Sequence, residues 1–169
     1  MKRWLGLVAV ALGLGIFVYA MFFGASEQEI IRKRLRIVVN AVELKASDTN
    51  LVLRAARIRE AFAEVLTKEV VIEIPELAEA KTGRAEAAQL ATSAATMYRT
   101  AAIDIDGLSI DVDQEGQSAH VSGKVRVQST GRSGEPAQDT RTASIRLDKI
   151  EGKWRIVSLT VSAKDSPDG

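Results

Sequence analysis

The chain has 169 residues, 23 basic and 22 acidic side chains, a formal charge of +1 and no cysteine. That balance gives no bulk electrostatic case for nucleic-acid binding, and the missing thiols exclude a disulfide framework, a thiolate metal site and a cysteine nucleophile. The length suffices for one domain with a real core and is too short for two.

Residues 4–23, WLGLVAVALGLGIFVYAMFF, are apolar without interruption. As a helix such a run measures about 30 Å, the thickness of the hydrocarbon layer. Signal-peptide cores run to about 7–15 residues, so the length predicts a retained single-pass anchor over residues 1–25. Ala20, Gly24 and Ala25 leave cleavage as the alternative. Lys2 and Arg3 favour an inside N-terminus, whereas Arg32, Lys33, Arg34 and Arg36 count the other way and read as the solvated face of a folded helix. The expectation is an inner (cytoplasmic) membrane protein with the bilayer as a partner through residues 4–23 and an extracytoplasmic C-terminal domain.

Ser26 to about Ala46 is predicted helical, with Ile31, Leu35, Val38 and Val42 in one apolar stripe. Residues 47–50 supply N-cap chemistry for a second helix. Its stripe is Leu51, Ala55, Ile58, Phe62 and Val65, with Arg54, Arg57, Glu60 and Glu64 opposite. KEVVIEIP alternates and reads as a strand with Val70, Ile72 and Ile74 on one side, closed by Pro75. Residues 76–82 read as a loop, and Gly83 to about Thr100 as an alanine-rich third helix. From Ala101 the period changes to two, with a bulge or bend expected at Gly107. Turns at Gln114-Glu115-Gly116 and Glu151-Gly152-Lys153, and the polar stretch STGRSGEPAQDT, divide the remainder into four long strands. The tail from 164 to 169 is expected to be disordered. Helices first and a meander last predict an α+β domain over 26–163, in the order α-α-β-α-β-β-β-β, with the helices packed on a curved antiparallel sheet.

Three segments resemble the nuclear transport factor two-like superfamily, the cone-shaped fold shared with ketosteroid isomerases and polyketide cyclases. They are TGRAEAAQLATSAATMY after a strand, QEGQSAHVSGKVRV, and the terminal GKWRIVSLTV. The resemblance covers roughly Ser26 to Ala163 and implies a pocket between the helices and the concave sheet face. Phe62, Met97, Tyr98 and Trp154 are the residues expected to line it. The resemblance also implies that exposed strand faces pair, so protein partners or a homo-oligomer are expected.

The chemistry-bearing residues point away from catalysis. His120, the single histidine, lies between Ala119 and Val121 and is expected on the outer face of its strand. Asp104, Asp106, Asp111 and Asp113 alternate with apolar residues and lack the spacing of a calcium loop. No base with an orienting partner, no nucleophile and no metal set is identified, so the expectation is a non-enzyme without a cofactor. The leading expectation is an accessory or scaffold subunit of a bacterial envelope assembly. The alternative is a domain that holds a lipid or another small apolar ligand in the cone.

Overall fold

The computed structural model describes residues 26–75 and 81–162, so the expected anchor and the expected tail lie outside the described residues. Among the described residues no helix is long and apolar enough to cross a membrane.

Helix α1 (Glu27–Val42) starts where the Ser26 hydroxyl accepts the amide of Glu29, and it buries Ile31 and Leu35. It ends earlier than its periodicity suggests, because the chain turns extended to pair Leu44 with Ala101. Helix α2 (Leu51–Val65) is capped by the Asn50 side chain, which accepts the amides of Val52 and Leu53. Ile58, Phe62 and Val65 are buried as expected, but Leu51 is exposed and Arg54, expected on the solvated side, is only 6% exposed. Strand β1 (Leu66–Glu73) and the two-residue β2 (Lys81–Thr82) precede helix α3 (Arg84–Met97), which gives way directly to β3 (Tyr98–Val112). Then come β4 (Ser118–Gly131), β5 (Pro136–Ile150) and β6 (Lys153–Val161).

The six strands form one sheet in the order β2-β1-β6-β5-β4-β3. The expected all-antiparallel sheet is corrected here: β1 runs parallel to β6. Parallel neighbours need a long crossover, and everything from β2 to β5 supplies it. Alternation within a strand carries no information on that choice. The polar stretch is also mostly strand, since Gln128 pairs with Gln138 and Thr130 with Pro136, leaving only residues 132–135 as the tip. The Gln128–Gln138, Ser129–Ala137 and Thr130–Pro136 pairs extend this hairpin beyond the apolar core.

The sheet bends where predicted. Gly107 has φ 61°, and the β3–β4 register shifts between Asp106 and Ser109. Gly123 in β4 lies against this bulge: a Cβ there would meet the Ile105 side chain at 3.2 Å and the Asp106 carbonyl oxygen at 3.4 Å. The tight β5–β6 turn places Glu151 at φ 51° and Gly152 at φ 73°, as a two-residue hairpin with the strands' natural twist requires.

Under the helices the concave face is filled. Trp154, Leu147 and Val121 pack with Ile31, Ile58 and Val65, each at most 1% exposed. Each such aliphatic contributes roughly 1.5–3 kcal/mol relative to exposure.

Two polar devices hold the helices in place. At the start of α1 the Glu27 carboxylate accepts from Lys149 Nζ and Trp154 Nε1, each at 2.5 Å. Lys149 also lies 5.4 Å from the centre of the indole ring. Gln28 adds a bond to the Ile110 carbonyl at 3.1 Å. The second device is a set of arginines at helix ends. None of α1, α2 and α3 carries a basic residue in its last turn. Instead Arg84 and Arg155 donate to the Ala63 carbonyl at the end of α2, at 3.3 and 3.1 Å. At the end of α3, Arg54 donates to Ala95 O at 3.1 Å and Arg132 to Thr96 O at 2.6 Å. Cations at these carbonyls oppose the negative end of the helix dipole. Arg54 also bonds the Asp48 carbonyl, and a buried guanidinium needs such partners to offset its desolvation.

The Lys149 ammonium, then the Trp154 indole, hold the Glu27 carboxyl below its ordinary value of 4.5. A depressed carboxyl stabilises the fold above its unfolded value, and that contribution is lost as pH falls through the folded value. Glu27→Gln is expected to cost about 1 kcal/mol at neutral pH. It should also remove this component of the acid-side decline below about pH 4.5, measured as denaturation midpoint against pH.

Candidate functional site

Two regions of the molecule offer themselves for recognition. The first is the mouth of the cone. Beyond the bend, α1 does not close on the sheet, and a concavity of about 480 Å³ opens between Arg32, Leu35, Arg36 and Val39 of α1 and Ile103, Asp104, Ile105 and Leu108 of β3. Its floor is apolar and its rim carries two cations, Arg32 and Arg36, while the Asp104 side chain turns to the opposite face of the strand. Register continues the concave face from Ile103 and Ile105 to Val127 and Val125, and on to Asp139 and Arg141. Asp139 pairs with Arg141 at 2.8 Å, and one of its oxygens is buried without a hydrogen-bond partner among the described residues.

The second region is the end of the helical layer where α2 begins and α3 stops. Leu51, Val52 and Leu53 form the first turn of α2 and are 45%, 75% and 67% exposed. Met97 and Tyr98 close α3 and are 65% and 39% exposed. Arg54 ties the first turn of α2 to the last turn of α3 through Ala95, so both groups come to one end of the molecule. A lone exposed leucine needs no explanation, whereas a cluster of large apolar side chains on water does.

The four residues expected to line a pocket are therefore not brought together. Phe62, 5% exposed, and Trp154, 1% exposed, are parts of the core beneath the helices. Met97 and Tyr98 belong to the exterior apolar end. Met97 stands outside the buried side of α3, which consists of Ala87, Ala88 and Ala95. An alanine-rich helix has a small hydrophobic contrast between its faces, so its buried side was not legible.

The outer sheet face holds the polar alternation. His120 is exposed, with its Nε2 3.4 Å from the Ser144 hydroxyl. Arg126 lies between Asp104 and Asp106, at 3.9 and 2.8 Å. Asp113 has a structural part: it accepts the amides of Gln117 and Ser118 and the Ser118 hydroxyl, closing the β3–β4 turn. The backbone bond from Gln117 leads the effects that hold its carboxyl below the ordinary range.

No family model matches the chain, and no curated protein matches it in sequence. Solved structures do match in shape. A nuclear transport factor 2-like superfamily protein from Salmonella enterica serovar Typhimurium aligns with TM-score 0.65 at 17% identity, covering 84% of this chain and 93% of that one. A type 2 hexachlorocyclohexane dehydrochlorinase aligns with TM-score 0.64 at 11% identity, covering 83% and 90%. A protein from Kribbella flavida gives TM-score 0.64 at 12% identity, covering 83% and 93%. At such identities the likeness shows the fold alone: the described residues have the nuclear transport factor 2-like fold, which hosts catalytic and ligand-binding domains alike.

The placements are separable by truncation. Phe62→Ala is expected to cost about 3–5 kcal/mol, and Met97→Ala to stay within about 0.5 kcal/mol of wild type, in denaturant unfolding of the full chain.

Proposed function

We propose that this chain is a membrane-tethered, non-catalytic member of the nuclear transport factor 2-like superfamily that works by binding protein, as an accessory or scaffold subunit of a bacterial envelope assembly. The observation that carries this reading is the exposed apolar end formed by Leu51, Val52, Leu53, Met97 and Tyr98. Large apolar side chains gathered on a surface gain most by being covered, and aromatic and methionine side chains are enriched where proteins meet. The filled core beneath the helices supports the same reading, as does the outward placement of His120, Asp104, Asp106 and Asp111. The tether rests on the length and apolarity of residues 4–23. Holding the domain at a surface raises its effective concentration toward neighbours in the same membrane, so a modest interface suffices.

Extraction of the full chain from native membranes in mild detergent is expected to recover a stoichiometric protein partner. The charge-bearing pair Val52→Asp and Leu53→Asp should release that partner while leaving the unfolding midpoint within about 0.5 kcal/mol, since both side chains stand in water. A solitary monomer at native expression level overturns the proposal.

The cone mouth favours a second reading, a small amphiphile with its apolar part against Leu35, Val39, Ile103 and Ile105 and an anionic group near Arg32 and Arg36. Native mass spectrometry of the full chain reads it: an adduct retained by wild type and lost from Ile105→Glu supports this use, and an adduct-free mass removes it.

A further inference from the structure

At the end of the helical layer opposite the apolar one, Arg59, Lys68 and Arg84 surround a shallow concavity of about 410 Å³ floored by Ala63, Ala85 and Ala88. None of these lining residues is acidic. The neighbouring Glu64 is engaged by Arg34 at 2.6 Å. Arg59 and Arg84 each give one nitrogen to a helix carbonyl, Ala55 O at 3.2 Å and Ala63 O at 3.3 Å. That leaves most of the five donors of each guanidinium for another acceptor. The Lys68 ammonium has no hydrogen bond or ion pair with any described residue. Arg155 adds a fourth positive charge beside them, donating to Ala63 O and Glu64 O at 3.1 and 3.4 Å. Capping the end of one helix does not require four cations.

The location of this cluster suggests its occupant. Trp154 and Arg155 are consecutive: the first holds Glu27 at the start of α1, and the second holds the carbonyls at the end of α2. The concavity therefore shares an end of the domain with the point where the chain enters α1. Phe23, the last residue of the apolar run, precedes Glu27 by four positions, a reach of at most about 14 Å even when fully extended. That upper bound is less than two Debye lengths of about 8–10 Å, and any bend in the linker shortens it.

We propose that the Arg59–Lys68–Arg84 concavity binds phosphate-bearing anions, and that its occupant is the headgroup layer of the bilayer holding residues 4–23. The occupant rests on the tethered reading above; the charge chemistry does not. Three cations converging without a carboxylate suit a phosphate diester, and each Lys or Arg near an anionic surface adds to its attraction. Small alanine side chains on the floor let a headgroup approach closely.

The test uses the full chain in vesicles of phosphatidylcholine alone and of phosphatidylcholine with phosphatidylglycerol, read by flotation and by amide hydrogen exchange. Flotation is expected with both compositions. Exchange across 63–69 and 83–89 should slow by about tenfold or more only with the anionic lipid. The double variant Arg59→Glu and Lys68→Glu should abolish that slowing while β4 keeps wild-type exchange, because both side chains are exposed. Inorganic phosphate added to the zwitterionic vesicles is the second arm. The same slowing there supports the anion site and overturns the headgroup as its particular occupant. Unchanged exchange in every condition with flotation intact overturns the site and leaves the tether standing. Failure to float with either composition overturns the tether and the headgroup occupant together.

Discussion

The Glu27 carboxylate, shared between Lys149 and the indole of Trp154, is the contact on which the layout of the domain depends. It fixes the first turn of α1 against the β5–β6 hairpin, and the Gln28 bond to Ile110 prevents the helix from swivelling about that point. With one end set, Ile31 and Leu35 fall onto the concave face and Arg34 meets Glu64 of α2. The indole is the largest fully buried side chain among the described residues, so the same residue serves burial and orientation. A charged group at this position costs little because it retains contact with water on one side.

The arginines at the helix ends give the molecule its two poles. Arg84 and Arg155 converge on the end of α2, and Arg54 and Arg132 on the end of α3. Because α2 and α3 run in opposite senses, their finishing carbonyls lie at opposite ends of the layer. One end collects positive charge. The other, where Arg54 is buried, presents leucine, valine, methionine and tyrosine to water. The two ends thus differ in exposed apolar surface along the helix direction, while the net charge of the chain is close to zero.

Element order, the bend at Gly107 and the concave face of β4 were legible because each depends on residues close together in sequence. Period-two alternation around His120 sets Ala119 and Val121 on the inner side, and both are buried there. What was not legible is non-local. The direction of β1 against β6 depends on which end of the sheet each strand enters, and no residue of either strand encodes it. Arg54 has a carbonyl of α3 as its partner, forty-one positions away, so spacing within α2 placed it with the solvated arginines. The recognition surfaces suffered most. Phe62 and Trp154 look alike in sequence whether they fill a cone or line one, and Met97 was misplaced by a helix whose faces differ little in polarity. The cationic concavity draws on α2, β1 and α3, with a single charge from each.

Both margins of the sheet are partly covered by short devices. On one side Glu43 accepts the amide of Ile103 at 3.1 Å, and Leu44 exchanges two backbone bonds with Ala101. On the other, β1 is shielded by the two residues of β2 and by the bond from Gly83 N to Val70 O. A chain that sought to join by strand augmentation would have to strip these groups first, at the full desolvation cost of each. At these positions the sheet resists extension by another strand, which favours contacts between side chains, where composition and shape can discriminate one partner from another.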